Sequence, residues 1–75
     1  MFAKLTPNTV AVALPVEVRN YDGSRPGFIL HVASTKNQIL VRTATGEDVE
    51  AKWYPSAHLY ATEEGDFVHF PTVRD

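Results

Sequence analysis

The three histidines are the residues of this 75-residue chain that could bind a metal ion or move a proton. His31, His58 and His69 have no companion cysteine, because the chain contains none, and they show no i, i+2 or i, i+4 spacing. Zinc sites draw their ligands from closely spaced cysteine and histidine residues. We therefore predict no metal site.

Carboxylates and serines are the remaining candidates for catalysis. Glu47 and Asp48 are adjacent, but they fall at the tip of a predicted hairpin, where exposure to solvent disfavours general acid–base work. None of the serines has the Gly-x-Ser-x-Gly setting of a hydrolase nucleophile. The sequence predicts no catalytic residue and no cofactor, and hence a protein that is not an enzyme.

Aromatic residues near loops offer a binding function instead. Tyr21 falls in a stretch rich in turn-forming residues, and Tyr54 closes a predicted strand on the face opposite to Trp53. An aromatic groove can bind an extended proline-rich peptide or enclose a methylated ammonium group. Phe28 and Trp53 are assigned to the core by their parity.

Basic residues accompany these tyrosines. Arg19 and Arg25 flank the stretch that contains Tyr21. The net charge of −2 and the lack of basic residues interleaved with aromatic ones argue against nucleic-acid binding. The sequence favours docking of a protein or peptide partner, and the residues predicted to bind it are Tyr21, Arg25, Tyr54, Arg19, Arg42 and Lys52.

Charge is polarised along the chain. Five of the seven basic residues lie at or before Thr43, and seven of the nine acidic residues follow it. One interpretation is an ordinary surface of mixed sign. The other is a basic patch built from Arg19, Arg25 and Arg42.

The length predicts a single domain over residues 1–75, which buries only about 60% of the surface of its unfolded chain. Disulfides cannot reinforce it, which leaves a homodimer or a higher oligomer as an open possibility. The N-terminal region is broken by Pro7, Asn8 and Pro15 and has no apolar run typical of a signal peptide or a membrane span. We expect a soluble, cytoplasmic protein with no membrane partner.

The first elements that must position these residues are strands. Residues 9–19 alternate apolar and other residues, which is typical of a strand with one buried face, and Pro15 divides this segment. Residues 20–27 contain two glycines and a proline and predict a long loop. In residues 28–33 we assign Phe28, Leu30 and Val32 to the interior.

The second half continues the pattern. We predict a strand over residues 38–43, a hairpin over residues 44–47 in which Gly46 is free to take a positive φ, and a returning strand over residues 48–54 with Trp53 in the core. A single 3₁₀ turn over residues 56–58 leads to Leu59. A turn at residues 63–66 and a last strand at 67–70 follow.

This order of elements resembles the SH3-like barrel superfamily, which includes Tudor and KOW domains. The resemblance covers residues 16–59 and depends on the stretch 20–27, on Gly46 and on the segment 54–59. It implies an all-β SH3-like barrel of about five strands, with a 3₁₀ turn before the last strand.

Within that superfamily, residues 51–55 are similar to the last strand of the small plasmid-type (type II) dihydrofolate reductases, Val-Gln-Ile-Tyr-Pro. Tyr54 and Pro55 match, whereas Lys52 and Trp53 replace the glutamine and isoleucine that contact ligand in that family. The resemblance implies the fold and a tendency to assemble. Two alternatives to the binding module stay open: a KOW-like nucleic-acid-associated barrel and an oligomeric reductase with a central pore.

Overall fold

The computed structural model describes residues 4–71, and within them the chain is entirely β-structure and turns. Six antiparallel strands follow one another around a closed barrel in the order β1 to β6. Their bounds are Pro15–Asn20 (β1), Gly23–Val32 (β2), Gln38–Thr43 (β3), Asp48–Tyr54 (β4), Leu59–Ala61 (β5) and Phe67–His69 (β6). The all-β barrel is confirmed, with six strands rather than five. Arg74 and Asp75, counted above in the acidic half, lie outside the described residues.

The long loop predicted over residues 20–27 is wrong. Asn20 pairs with Gly23, so only Tyr21 and Asp22 form the turn between β1 and β2. The Asp22 N–H donates to the Asn20 side chain over 2.9 Å, and Gly23 has a φ of +143°. Asparagine and glycine at these positions promote a tight hairpin as readily as a loop, so their presence did not determine the length of the turn.

The predicted interior face of β2 is also wrong at its start. Ile29 is fully buried, whereas Phe28 is 41% exposed. Residues directly opposite in a sheet share a face, and Ile29 lies opposite Val41. A bulge between Ile29 and His31 then shifts the register, so that Val32 packs against the core although it has the parity of Phe28.

The barrel interior contains one hydrophobic cluster. Ile39, Val41 and Thr43 of β3 point inward. Trp53 is half-buried and packs against this cluster rather than at its centre. The fully or nearly fully buried members are Leu5, Val10, Val16, Val18, Ile29, Ile39, Val41, Ala51, Tyr60 and Val68.

The segment before β1 is not the strand predicted from residue 9. It forms turns, with Leu5 and Val10 buried in the core and Val12 exposed. The Ala13 N–H donates to the Ile29 carbonyl over 2.7 Å, and Ala13 has a φ of +75°. Leu14 accepts a bond from the N–H of Ile29, so the chain joins the sheet only immediately before Pro15.

The turns predicted at residues 44–47 and 63–66 are present. Gly46 has a φ of +88° in the β3–β4 hairpin, and Gly65 has a φ of +93° in the β5–β6 turn. The 3₁₀ turn predicted over residues 56–58 before the last strand is wrong: the segment is a turn in which the Tyr54 carbonyl accepts from the N–H of His58 over 2.8 Å, an i to i+4 bond, and it precedes β5. Because the described residues include no helix, they contain none long and apolar enough to cross a membrane.

Alternating strand directions give the barrel two ends. The upper end contains the β1–β2, β3–β4 and β5–β6 turns, and the lower end contains the β2–β3 and β4–β5 turns.

Gly27 is the position where the sheet tolerates no side chain. A Cβ atom there would lie 2.6 Å from the Arg42 carbonyl oxygen. We expect Gly27→Ala to lower the free energy of unfolding by about 1–3 kcal/mol because the backbone of β3 must move. Urea denaturation checks this, with exposed Ser24→Ala on the same strand as the control; equal stability of the two variants would contradict the close approach.

Tyr60 anchors the core to the lower end. Its hydroxyl donates to the Lys36 carbonyl over 2.6 Å, and burial raises the pKa of this hydroxyl. We expect Tyr60→Phe to lower the free energy of unfolding by about 1 kcal/mol at neutral pH.

The raised pKa of Tyr60 also gives a pH dependence. Its contribution to stability is complete below pH about 10, where an unfolded tyrosine ionises, and is lost as the pH rises through the folded-state pKa. Denaturation at several alkaline pH values should show that the free energy of unfolding falls less with rising pH in Tyr60→Phe than in the fully exposed control Tyr21→Phe. The same loss in both variants would show that Tyr60 does not carry it.

Candidate functional site

The two predicted binding tyrosines lie at opposite ends of the barrel. Tyr21 is in the upper β1–β2 turn and is 100% exposed. Tyr54 ends β4 at the lower end and is 41% exposed. The structure therefore does not bring them into one concavity.

Arg25 faces the interior of the barrel rather than a loop surface. It lies opposite the buried Val18 and therefore shares its face. Its guanidinium donates to Glu47 over 2.8 Å and to Asp66 over 3.2 Å. Asp66 is buried. The two ion pairs of Arg25 join the β3–β4 turn to the start of β6 at the upper end of the barrel.

Arg42 points outward from β3 and is also paired. Its Nε and Nη2 atoms donate to the two carboxylate oxygens of Asp48 over 2.8 and 3.2 Å. These hydrogen bonds lower the pKa of the Asp48 carboxyl and raise the pKa of the Arg42 guanidinium. The predicted basic patch is divided, since Arg25 points inward and the β2 partners of Arg19 and Arg42 are Ser24 and Phe28.

Arg19 and Lys52 are exposed and have no ion pair among residues 4–71. Arg19 lies opposite Phe67 of β6, which is 47% exposed. Tyr21 follows Arg19 by two residues along the chain. We call Arg19, Tyr21 and Phe67 the upper aromatic face. Phe67 was not singled out from the sequence, because its role depends on the pairing of the first strand with the last.

The histidines are distributed over separate elements. The ring of His58 packs edge-on against Trp53, with 5.5 Å between centroids. His69 bonds through Nδ1 to the Phe70 carbonyl over 2.6 Å, and its Nε2 lies 3.9 Å from Glu17. Within the part of the chain that the structure describes, no three metal-ligating side chains are grouped.

A groove that the sequence did not reveal lies between β4 and the β5–β6 turn. We call it the β4 groove; its volume is about 260 Å³. It contains six carboxylates and two cations. Its lining is Arg25, Glu47, Asp48, Val49, Glu50, Lys52, Ala61, Thr62, Glu63, Glu64 and Asp66.

Half of the groove's carboxylates are neutralised by arginine. Glu47 and Asp66 pair with Arg25, and Asp48 pairs with Arg42. The others, Glu50, Glu63 and Glu64, form no ion pair within the described range. The acidic second half of the sequence was the signal for this groove, but only the fold shows that its members converge.

Comparison with protein-family models, with curated proteins and with solved structures finds no match for this chain.

The Arg25 bridge predicts a specific energetic coupling. We expect Arg25→Met to lower the free energy of unfolding by about 1–3 kcal/mol, because the largely buried Asp66 carboxylate loses its cation. Arg19→Met, which removes an arginine with no ion pair among residues 4–71, should change it by less than about 0.5 kcal/mol.

A double-mutant cycle with Asp66→Asn isolates the pair, and chemical denaturation of the four proteins measures it. The double variant should be more stable than the sum of the two single effects predicts, by at least about 0.5 kcal/mol. Strict additivity would contradict the bridge.

Proposed function

We propose that this chain is a non-enzymatic binding module that docks a protein partner through the upper aromatic face. The observation that carries the proposal is the full exposure of Tyr21 at the tip of the β1–β2 hairpin, two residues after the exposed Arg19, which lies opposite the exposed Phe67. Tyrosine and arginine are enriched among the residues that dominate binding energy at protein interfaces.

The hairpin supports this role because it presents Tyr21 on a short turn. Asn20 and Gly23 are paired, which leaves little backbone freedom to lose when a partner binds. A tyrosine ring offers a large apolar area and a polar end while it freezes few rotatable bonds. Docking at this tip therefore loses little conformational entropy.

The chemistry of the face defines its partner. Phe67 and Tyr21 suit an apolar pocket, and Arg19, which has no carboxylate partner within residues 4–71, suits an acidic group at its rim. The proposed partner is a protein with an apolar pocket bordered by an aspartate or glutamate.

We assign the barrel, as part of the same proposal, to the SH3-like superfamily. Its small size, its short hairpins and the turn at residues 55–58 support this assignment. The nucleic-acid alternative has less support, because Arg25 and Arg42 are already paired with carboxylates. Trp53, in contact with Tyr60 at 5.0 Å between ring centroids, belongs to the packing of the barrel and offers no support for reductase chemistry.

The test uses variants at the two ends of the molecule. Quantitative affinity capture from the cells that express the protein should recover a partner with the unmodified chain and with Tyr54→Ala. The purified partner should bind Tyr21→Ala about 30-fold more weakly, the loss that corresponds to about 2 kcal/mol at a dominant contact.

Arg19→Glu should weaken the same complex and make its affinity less sensitive to salt. If Tyr21→Ala and Arg19→Glu both bind like the unmodified chain, the upper aromatic face is not the docking surface. If Tyr54→Ala alone loses the partner, docking occurs at the lower end.

A further inference from the structure

Among residues 4–71, strand β4 is paired on only half of one edge. Its pairing with β3 extends from Asp48 to Lys52, but its pairing with β5 covers only Lys52 to Tyr54. After Ala61, which pairs with Lys52, the chain that leaves β5 turns away from β4. The N–H of the next residue, Thr62, bonds to the Asp66 carbonyl instead. The upper half of β4 therefore borders the β4 groove without a neighbouring strand among the described residues.

The backbone groups of this half-strand point into the groove. The Trp53 N–H bonds to Asn37 and the Glu47 carbonyl accepts from Thr43, so the odd-numbered residues of β4 bond toward β3. Successive residues of a strand direct their N–H and C=O groups to opposite sides. The N–H and C=O of Glu50 thus face the groove, and no described residue bonds to them.

The side chains around this open edge have two characters. Outward-facing Glu50 on β4, with Glu63 and Glu64 on the facing turn, supplies negative charge. The inward positions next to Glu50 are the half-buried Val49 and the fully buried Ala51. A strand added here would meet carboxylates on its outer face and, on its inner face, Val49 and Ala51 together with the Arg25–Asp66 pair that also lines the groove.

We propose that the β4 groove binds an extended basic segment of another protein, which adds to β4 as a short strand. A lysine or arginine of the segment lies directly opposite Glu50, and its apolar neighbours in sequence lie over Val49 and Ala51. Main-chain bonds to Glu50 supply affinity, and the alternation of basic and apolar residues supplies specificity. This surface is separate from the upper aromatic face and does not depend on it.

Charge disfavours a second copy of this chain as the occupant. Two β4 edges paired about Glu50 would bring the unpaired Glu50 carboxylates of both copies opposite each other, and like charges opposite each other destabilise a strand pair. The same carboxylates attract a cationic strand. Charge complementarity therefore selects a basic segment.

The experiment titrates the full chain with an acetylated and amidated pentapeptide of alternating arginine and valine, Arg-Val-Arg-Val-Arg, followed by amide NMR shifts and calorimetry. We expect saturable shifts in Asp48–Ala51 and in the β5–β6 turn. Glu50→Gln should weaken binding up to about fivefold, as for one cross-strand charge pair. The matched control is Glu17→Gln on β1, which should bind the peptide unchanged.

A second peptide, N-methylated at the central arginine, separates strand addition from simple charge attraction. It keeps every charge but cannot donate to the Glu50 carbonyl, and it should show no saturable shifts in β4. Equal binding of both peptides, an unchanged affinity of Glu50→Gln, or no shifts in β4 with either peptide would each overturn the inference. Tyr21→Ala should bind the peptide normally, so failure here is distinguishable from failure of the upper aromatic face.

Discussion

Closure of the sheet between its first and last strands is the interaction on which the rest of the barrel depends. Three residue pairs join β1 to β6, with Val18 opposite Val68 at their centre. Val18 also lies opposite Arg25 on its other side, so it belongs to one inward row that crosses the closing seam. Without this seam the sheet would have two free edges, and Val16 and Val18 would lose their cover.

The closed interior explains where polar residues could be placed. Its centre is filled by Tyr60 and small aliphatic side chains, and Tyr60 reaches the Lys36 carbonyl with its hydroxyl. At the upper end Arg25 joins Glu47 of the β3–β4 turn to Asp66, which immediately precedes β6. The edge of β4 is open because the three-residue β5 is too short to follow the seven-residue β4 along its whole length.

Period-two patterns predicted the strands whose neighbours are adjacent in sequence. Residues 38–43 and 48–54 form a hairpin around Gly46, so local alternation and turn chemistry were sufficient. In β2 the same approach was wrong about Phe28 and Ile29, because both residues are apolar and only the register with β3 decides which faces inward. The bulge that follows Ile29 cannot be detected by a fixed period.

In the candidate surfaces, too, local sequence predicted some features, and only the folded structure shows the others. Exposure of Tyr21 follows from a turn that the local sequence indicates, although the turn is shorter than predicted. Phe67 joins Arg19 only through the β1–β6 seam, and the carboxylates of the β4 groove converge only because the β5–β6 turn lies beside β4. Contacts between distant parts of a sequence depend on topology, which composition and spacing do not specify.

A solution NMR study of the β1–β6 seam tests this account most directly. It should show cross-strand nuclear Overhauser effects in the register Glu17 to His69, Val18 to Val68 and Arg19 to Phe67, with slow amide exchange along both strands. Absence of these contacts, while those between β1 and β2 persist, would show an open sheet and contradict the closed barrel.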